Sequence, residues 1–240
     1  KTMIKNGVYA ASLSMLNSDK SLDVKSTIGH AESAIKNGLH GVFFFGSTGQ
    51  SQLISISEKK DLISKTATSK LKDQFYFGTG VNSLKDSLDL IRYGMEFDYR
   101  TFLIMPPAYY KGNTDKGVYN FYAEIITQVP KIRIILYNFE KLSGYLFTTD
   151  VVKDLVKNFP KQIIGCKDSS YNLFESLKIP NFKMFPGSEA KLFQGLELGC
   201  SGCISAITNV THTLARKVFD DFEKKNTQTV NEKVKKVRQT

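Results

Sequence analysis

Residues 162–170 read Gln162-Ile163-Ile164-Gly165-Cys166-Lys167-Asp168-Ser169-Ser170, a short apolar run that stops at a lysine, an aspartate and two serines. Its length and its polar boundary predict a buried β-strand, with Lys167 where the strand gives way to a loop. Counted along the chain it is the sixth of eight apolar segments, at 8–13, 41–45, 74–78, 101–105, 132–137, 163–167, 182–185 and 202–205. Between them lie helically patterned stretches near 23–37, 57–71, 84–94, 114–128, 148–158, 171–177 and 189–198, with another after Thr208. Ser57-Glu58, Thr114-Asp115 and Thr148-Thr149-Asp150 read as helix starts. Strands alternating with helices in units of roughly 25 to 30 residues predict an α/β fold, a (β/α)8 TIM barrel. A doubly wound sheet is the main rival, but it ordinarily needs fewer strands and leaves the even spacing unexplained.

The 240 residues suffice for one large core, and no Gly/Ser linker or low-complexity segment divides them. The formal charge of +10, from 33 Lys+Arg against 23 Asp+Glu, favours anionic substrates. The lysines are scattered over predicted helices and turns, with the densest cluster at 233–238, which argues against nucleic acid as a partner. Cys200 and Cys203 have the spacing of a redox or metal half-site, but there is no second cysteine pair and the histidines at 30, 40 and 212 form no ligand spacing around it; small buried thiols, Cys166 included, are expected, with no metal and no cofactor. No apolar run approaches the ~18 residues of a membrane span, and the first residues do not make a signal peptide, so the expectation is a cytoplasmic protein with no membrane partner. Residue 1 is Lys, which leaves open whether the native N-terminus is included.

In such a barrel, residues at the C-terminal ends of different strands converge. Those ends carry Gly46-Ser47-Thr48-Gly49, Pro106-Pro107-Ala108-Tyr109-Tyr110, Tyr137-Asn138, Lys167-Asp168, Gly187-Ser188-Glu189 and 205–209. The set offers one amine with phenols, hydroxyls and loop amides. An amine in a low-dielectric mouth sheds its proton more readily and attacks a ketone, while a nearby phenol and hydroxyls relay protons. Backbone N–H groups of the Gly-Ser-Thr-Gly turn suit a carboxylate. Each feature alone reads more simply as a solvated charge, a packing aromatic or an ordinary turn; together, at successive strand ends, they point to a lysine-dependent lyase.

Tyr137-Asn138-Phe139-Glu140-Lys141-Leu142-Ser143-Gly144, followed by Gly165-Cys166-Lys167-Asp168-Ser169-Ser170, resembles the paired motif of the dihydrodipicolinate synthase / N-acetylneuraminate lyase family of class I aldolases. Gly46 to Gly49, Tyr109-Tyr110 and the glycine-rich 199–205 match further family segments, so the resemblance runs from about residue 8 to 222. It implies that Lys167 forms a Schiff base with pyruvate or a 2-keto acid and that Tyr137 shuttles the proton. Ser47 joins the hydroxyl relay and Thr48 binds the carboxylate. Tyr110 completes the relay across a subunit boundary, in a homodimer or homotetramer. Ile204 lines the pyruvyl pocket, while Gly187, Ser188 and Glu189 face the variable end of the substrate. The family carries a helical region after its barrel. The expectation here is a catalytic barrel over 1–222, with 223–240 the start of a truncated or incomplete C-terminal helical region.

Departures from the family pattern bear on the aldehyde partner. Leu142 stands where synthases carry arginine, a rigid carboxylate partner, and gives the Leu-Ser-Gly of neuraminate lyases. Ala190 follows Glu189 where those lyases place a second acid; Glu140, Gln50 and Ser14-Met15-Leu16 are further departures. Three readings follow: aldol cleavage of a 2-keto-3-deoxy sugar acid or acylneuraminate-like substrate leads. The alternatives are dihydrodipicolinate synthesis from pyruvate and aspartate semialdehyde, and a catalytically quiet barrel that binds a metabolite or a protein.

Overall fold

The structure, a computed structural model, describes residues 3–224 and 228–239. Its strands are β1 (Gly7–Ala11), β2 (Gly41–Phe44), β3 (Phe75–Gly78), β4 (Thr101–Ile104), β5 (Arg133–Asn138), β6 (Ile163–Asp168), β7 (Lys183–Pro186) and β8 (Gly202–Ser205). Each coincides with an expected segment, with ends shifted by at most two residues. Their ladders are parallel, in the order β7-β6-β5-β4-β3-β2-β1-β8. At the remaining seam Ser201 N–H donates to the Met184 carbonyl of β7 at 2.8 Å, so the sheet nearly closes on itself. The expected (β/α)8 barrel is the fold. Gly202 permits the β1–β8 approach: at φ +143° its backbone runs so close to β1 that a Cβ would lie 1.7 Å from the Gly7 carbonyl oxygen.

Helices α1 (Val24–Lys36), α2 (Ile56–Thr66), α3 (Leu84–Glu96), α4 (Asp115–Gln128), α5 (Glu140–Ser143), α6 (Thr149–Asn158), α7 (Leu192–Glu197), α8 (Thr208–Glu223) and α9 (Gln228–Gln239) complete the chain. Thr114 and Thr148 cap α4 and α6, each hydroxyl accepting a first-turn N–H. The cap of α2 falls earlier than expected. Ser55 accepts from the Glu58 N–H at 3.2 Å while the Glu58 carboxylate accepts from the Ser55 N–H at 3.1 Å, a reciprocal box that fixes the start at Ile56. The expected stretch 223–240 includes residues 225–227 and 240, which lie outside the described residues; the end of α8 and α9 are what is described of it.

One expected helix, at 171–177, does not form. The Asp168 carboxylate instead accepts the N–H groups of Tyr171, Leu173 and Phe174, each at 2.9 Å, and winds the chain around itself. Tyr171 at φ +62° lies outside helical space, and Pro180 bars continuation. The expected 189–198 helix splits into a 3-10 turn at Glu189–Lys191 and α7.

Side chains alternate across the strands. Val8, Phe44 and Leu136 join the outer core beneath the helices, while Tyr9, Phe43, Ile135, Tyr137, Phe185 and Ile204 fill the lumen. Tyr9 meets Phe43, Tyr76 and Phe185 edge-on at 5.7–5.9 Å, closing the lumen with interlocked rings. The three cysteines are buried and unpaired. Among the described residues, no helix is long and apolar enough to cross a membrane.

Candidate active site

The parallel register of β5 and β6 sets Tyr137 beside Lys167 and Asn138 beside Asp168. Alternation then turns Tyr137 into the lumen cluster. Lys167 is 3% exposed and Tyr137 4%, so water is largely excluded from both. The Lys167 Nζ donates to the Tyr137 Oη at 3.4 Å, a long contact, and lies 4.4 Å from the ring centroid. Phe139 lies near-parallel to the phenol ring, with centroids 6.1 Å apart and planes 19° from parallel.

Ser47 reaches this pair from β2. Phe45 follows the strand at φ +62°, a left-handed conformation that costs an aromatic residue ~1–2 kcal/mol and turns the chain sharply into the Gly46-Ser47-Thr48-Gly49 loop. The Ser47 Oγ then lies 2.8 Å from the Tyr137 Oη, where either hydroxyl can donate. An amine, a phenol and a hydroxyl thus stand in one chain of proton-exchanging groups. The Thr48 side chain is half-buried in the same loop. Among the described residues, the N–H groups of Ser47 and Thr48 have no hydrogen-bond acceptor in the chain, leaving donors for an anion.

A polar network that the motif reading did not resolve braces the lysine from behind. Asn138 Nδ2 donates to Asp168 Oδ1 at 2.9 Å and to Asn172 Oδ1 at 2.7 Å, while Asn138 Oδ1 accepts from the Phe147 N–H at 3.1 Å. With the three loop amides already described, Asp168 is fully engaged and 0% exposed, so it fixes the loop that follows Lys167. An aspartate at a strand end followed by Ser169-Ser170 is a turn signal that pointed this way; Asn172 carried none.

The β7 and β8 ends complete the wall. Gly187 donates its N–H to the Asp168 carbonyl at 2.9 Å, and a Cβ there would fall 2.1 Å from Ser169 Oγ, so only glycine fits unaltered. Ile204 is 0% exposed and belongs to the lumen cluster with Tyr137. Ser188 and Glu189 are enclosed at 2% and 0% exposure, and both accept hydrogen bonds from Arg238 of α9. Tyr110 is not joined to Tyr137 within the chain: it is 80% exposed after β4 and meets Tyr109 edge-on at 5.1 Å. A cavity of about 170 Å³ opens beside the centre, with Ser47, Thr79, Asn82, Met105, Tyr137 and Leu142 among its walls.

Known proteins bear out the family that the motifs resemble. The model of the dihydrodipicolinate synthetase family matches residues 5–240. A 4-hydroxy-tetrahydrodipicolinate synthase of Legionella pneumophila is 31% identical over 222 residues, covering 90% of this chain and 74% of that protein. An N-acetylneuraminate lyase of Actinobacillus pleuropneumoniae is 29% identical over 223 residues, covering 89% of this chain and 74% of its own. The fold is that of YagE of E. coli K12, a dihydrodipicolinic acid synthase family protein solved with pyruvate. The two superpose with a TM-score of 0.88 at 22% identity, covering 98% of this chain and 82% of that one. With the match spanning nearly the whole barrel, the chain belongs to the dihydrodipicolinate synthetase family, a Schiff-base-forming lyase/aldolase by class.

Proposed function

We propose that Lys167 is the Schiff-base residue and that the chain cleaves, reversibly, a 2-keto-3-deoxy sugar acid or acylneuraminate-like substrate into pyruvate and an aldehyde. The observation that carries this is the buried contact of Lys167 Nζ with Tyr137 Oη at 3.4 Å, continued to Ser47 Oγ at 2.8 Å. The neutral amine adds to the C2 ketone, and loss of water from the carbinolamine leaves an iminium. Tyr137 takes the proton of the C4 hydroxyl as the C3–C4 bond breaks, the electron pair passing into the iminium to give an enamine. The aldehyde departs, C3 is protonated, and water releases pyruvate from the lysine. In this reading the unengaged N–H groups of Ser47 and Thr48 receive the carboxylate, and Ile204 and Gly187 border the pyruvyl pocket.

The sugar-acid preference is supported by Leu142, which is 45% exposed at the cavity and offers no guanidinium to a second carboxylate. The Legionella relative favours the synthase reading, in which aspartate semialdehyde is the acceptor. For assembly, we propose a homodimer or homotetramer in which the exposed Tyr109-Tyr110 pair of a second copy reaches the cavity beside Ser47 and Tyr137. A cytoplasmic setting agrees with three buried, unpaired thiols.

Incubation with pyruvate and borohydride, followed by intact-mass and peptide analysis, tests the centre. A reduced pyruvyl adduct on Lys167 is expected, and a folded protein that traps none overturns the reading. Comparing turnover of sugar aldehydes and aspartate semialdehyde with pyruvate then separates the two substrate classes.

A further inference from the structure

Glu189 is 0% exposed, yet the cation that neutralises it comes from α9, 49 residues along the chain. Arg238 Nη1 donates to Glu189 Oε1 at 2.8 Å and Oε2 at 3.1 Å, and to Ser188 Oγ at 2.6 Å. From the end of β8 the Ser205 hydroxyl donates to Glu189 Oε2, and the same oxygen of Ser205 accepts the Ile207 N–H at 3.2 Å. One guanidinium therefore ties α9 to the turn after β7 and, through Glu189, to the end of β8. The first segment carries Gly187, hydrogen-bonded to the Asp168 carbonyl next to Lys167; the second carries Ile204, in the lumen with Tyr137.

Other titratable groups surround this carboxylate. Tyr171, from the loop after β6, has its phenol pushed up chiefly by burial, with Arg238 lowering it and Glu189 raising it. Lys191 Nζ sits over that ring, 5.6 Å from its centroid. Cys203 of β8 has its thiol pushed up by burial first and by Glu189 second. Among the described residues, Arg238 is the cation in ion-pair contact with Glu189, and that carboxylate in turn pushes the guanidinium's pKa up.

We propose that Arg238 is a positioning residue for the reaction. By pairing Glu189 and closing it against Ser188 and Ser205, it holds the β7 and β8 ends where the keto acid meets Lys167. The inference rests on the Schiff-base reading of Lys167. Removing the guanidinium leaves an enclosed carboxylate with no cation, which admits water and loosens the wall. The defect is therefore relieved when the carboxylate is removed as well. A helix held merely by packing gives a defect without that signature.

The test uses the full chain with pyruvate and cyanoborohydride, reading the pyruvate concentration that half-saturates adduct formation. The wild-type protein reports first on Lys167: no adduct there removes the Schiff-base reading and this inference with it. Given that adduct, Arg238→Leu is expected to raise half-saturation at least about tenfold. Arg238→Lys retains most of the function, and adding Glu189→Gln to Arg238→Leu restores it. An unchanged Arg238→Leu, or a defect that Glu189→Gln does not relieve, overturns the proposal. Should Arg238→Leu alone fail to fold, Glu189→Gln is compared with the double variant. Equal half-saturation supports the proposal, and a further tenfold rise in the double variant overturns it.

Discussion

Two lysines are buried among the described residues, and they are buried for opposite ends. Lys167, at the end of β6, is 3% exposed and faces the phenol of Tyr137, a group that can give or accept a proton. Lys59, on α2, is 0% exposed and donates to the carbonyls of Thr79 and Gly80 at 3.3 and 3.1 Å, groups that can only accept. Its Nζ also lies 5.8 Å from the Phe45 ring centroid. Burial pushes the Lys59 pKa down to about 8, with Asp86 opposing the shift. A buried amine is therefore not by itself a catalytic one. A partner able to exchange protons makes Lys167 a candidate nucleophile, whereas partners that need a donor make Lys59 a clamp on the turn after β3.

The comparison breaks most sharply at Lys167. Lys167→Ala is expected to abolish pyruvate trapping and to lower turnover on the order of 10⁴-fold or more, while Lys59→Met still forms the adduct. Intact-mass analysis of both variants after borohydride treatment decides it; an adduct that persists in Lys167→Ala moves the chemistry to another lysine. Next in size is Tyr137→Phe, which retains the adduct but slows turnover by about 10²- to 10⁴-fold, read as a fall in kcat larger than any change in pyruvate saturation.

The clamp is tested by stability. Lys59→Met leaves the Thr79 and Gly80 carbonyls without their donor and is expected to cost about 1–3 kcal/mol in urea unfolding near pH 10, where the folded amine is largely neutral and no charging penalty offsets the loss. The same pair of proteins sharpens the electrostatics. The folded-state pKa of Lys59 is about 8 against the 10.5 of an ordinary lysine, so between those limits the unfolded chain binds more protons and stability rises with pH. The penalty of charging the buried amine is fully present below about pH 8. Its relief amounts to at most about 3 kcal/mol as pH climbs to 10.5. Subtracting the pH profile of Lys59→Met isolates this slope, and parallel profiles would refute it. The smallest effect is expected from Ser55→Ala, which removes the cap of the helix that carries Lys59. A loss of about 1 kcal/mol, seen as a lower Tm with trapping at Lys167 intact, is the expected outcome.

Short apolar runs and evenly spaced helical stretches specify their own local structure, so the eight strands, their order and the barrel were legible in the residues themselves. The thirty-residue step from Tyr137 to Lys167 likewise placed both on neighbouring strands, and the register aligned them. Sequence reading failed where a side chain captured backbone groups that propensity had assigned elsewhere. At 171–177 a helical pattern lost to the Asp168 carboxylate, and at α2 the cap went to Ser55 because Glu58 could answer it reciprocally.

The chain by itself determined the barrel and the candidate nucleophile, because both rest on local periodicity and on residue types at strand ends. Only the tertiary structure decided which buried amine faces a phenol and which faces carbonyls. It alone brought Arg238 onto Glu189 and left Tyr109 and Tyr110 on the surface. Those outcomes depend on hydrogen-bond geometry and enclosure between segments far apart in sequence, which no local pattern encodes.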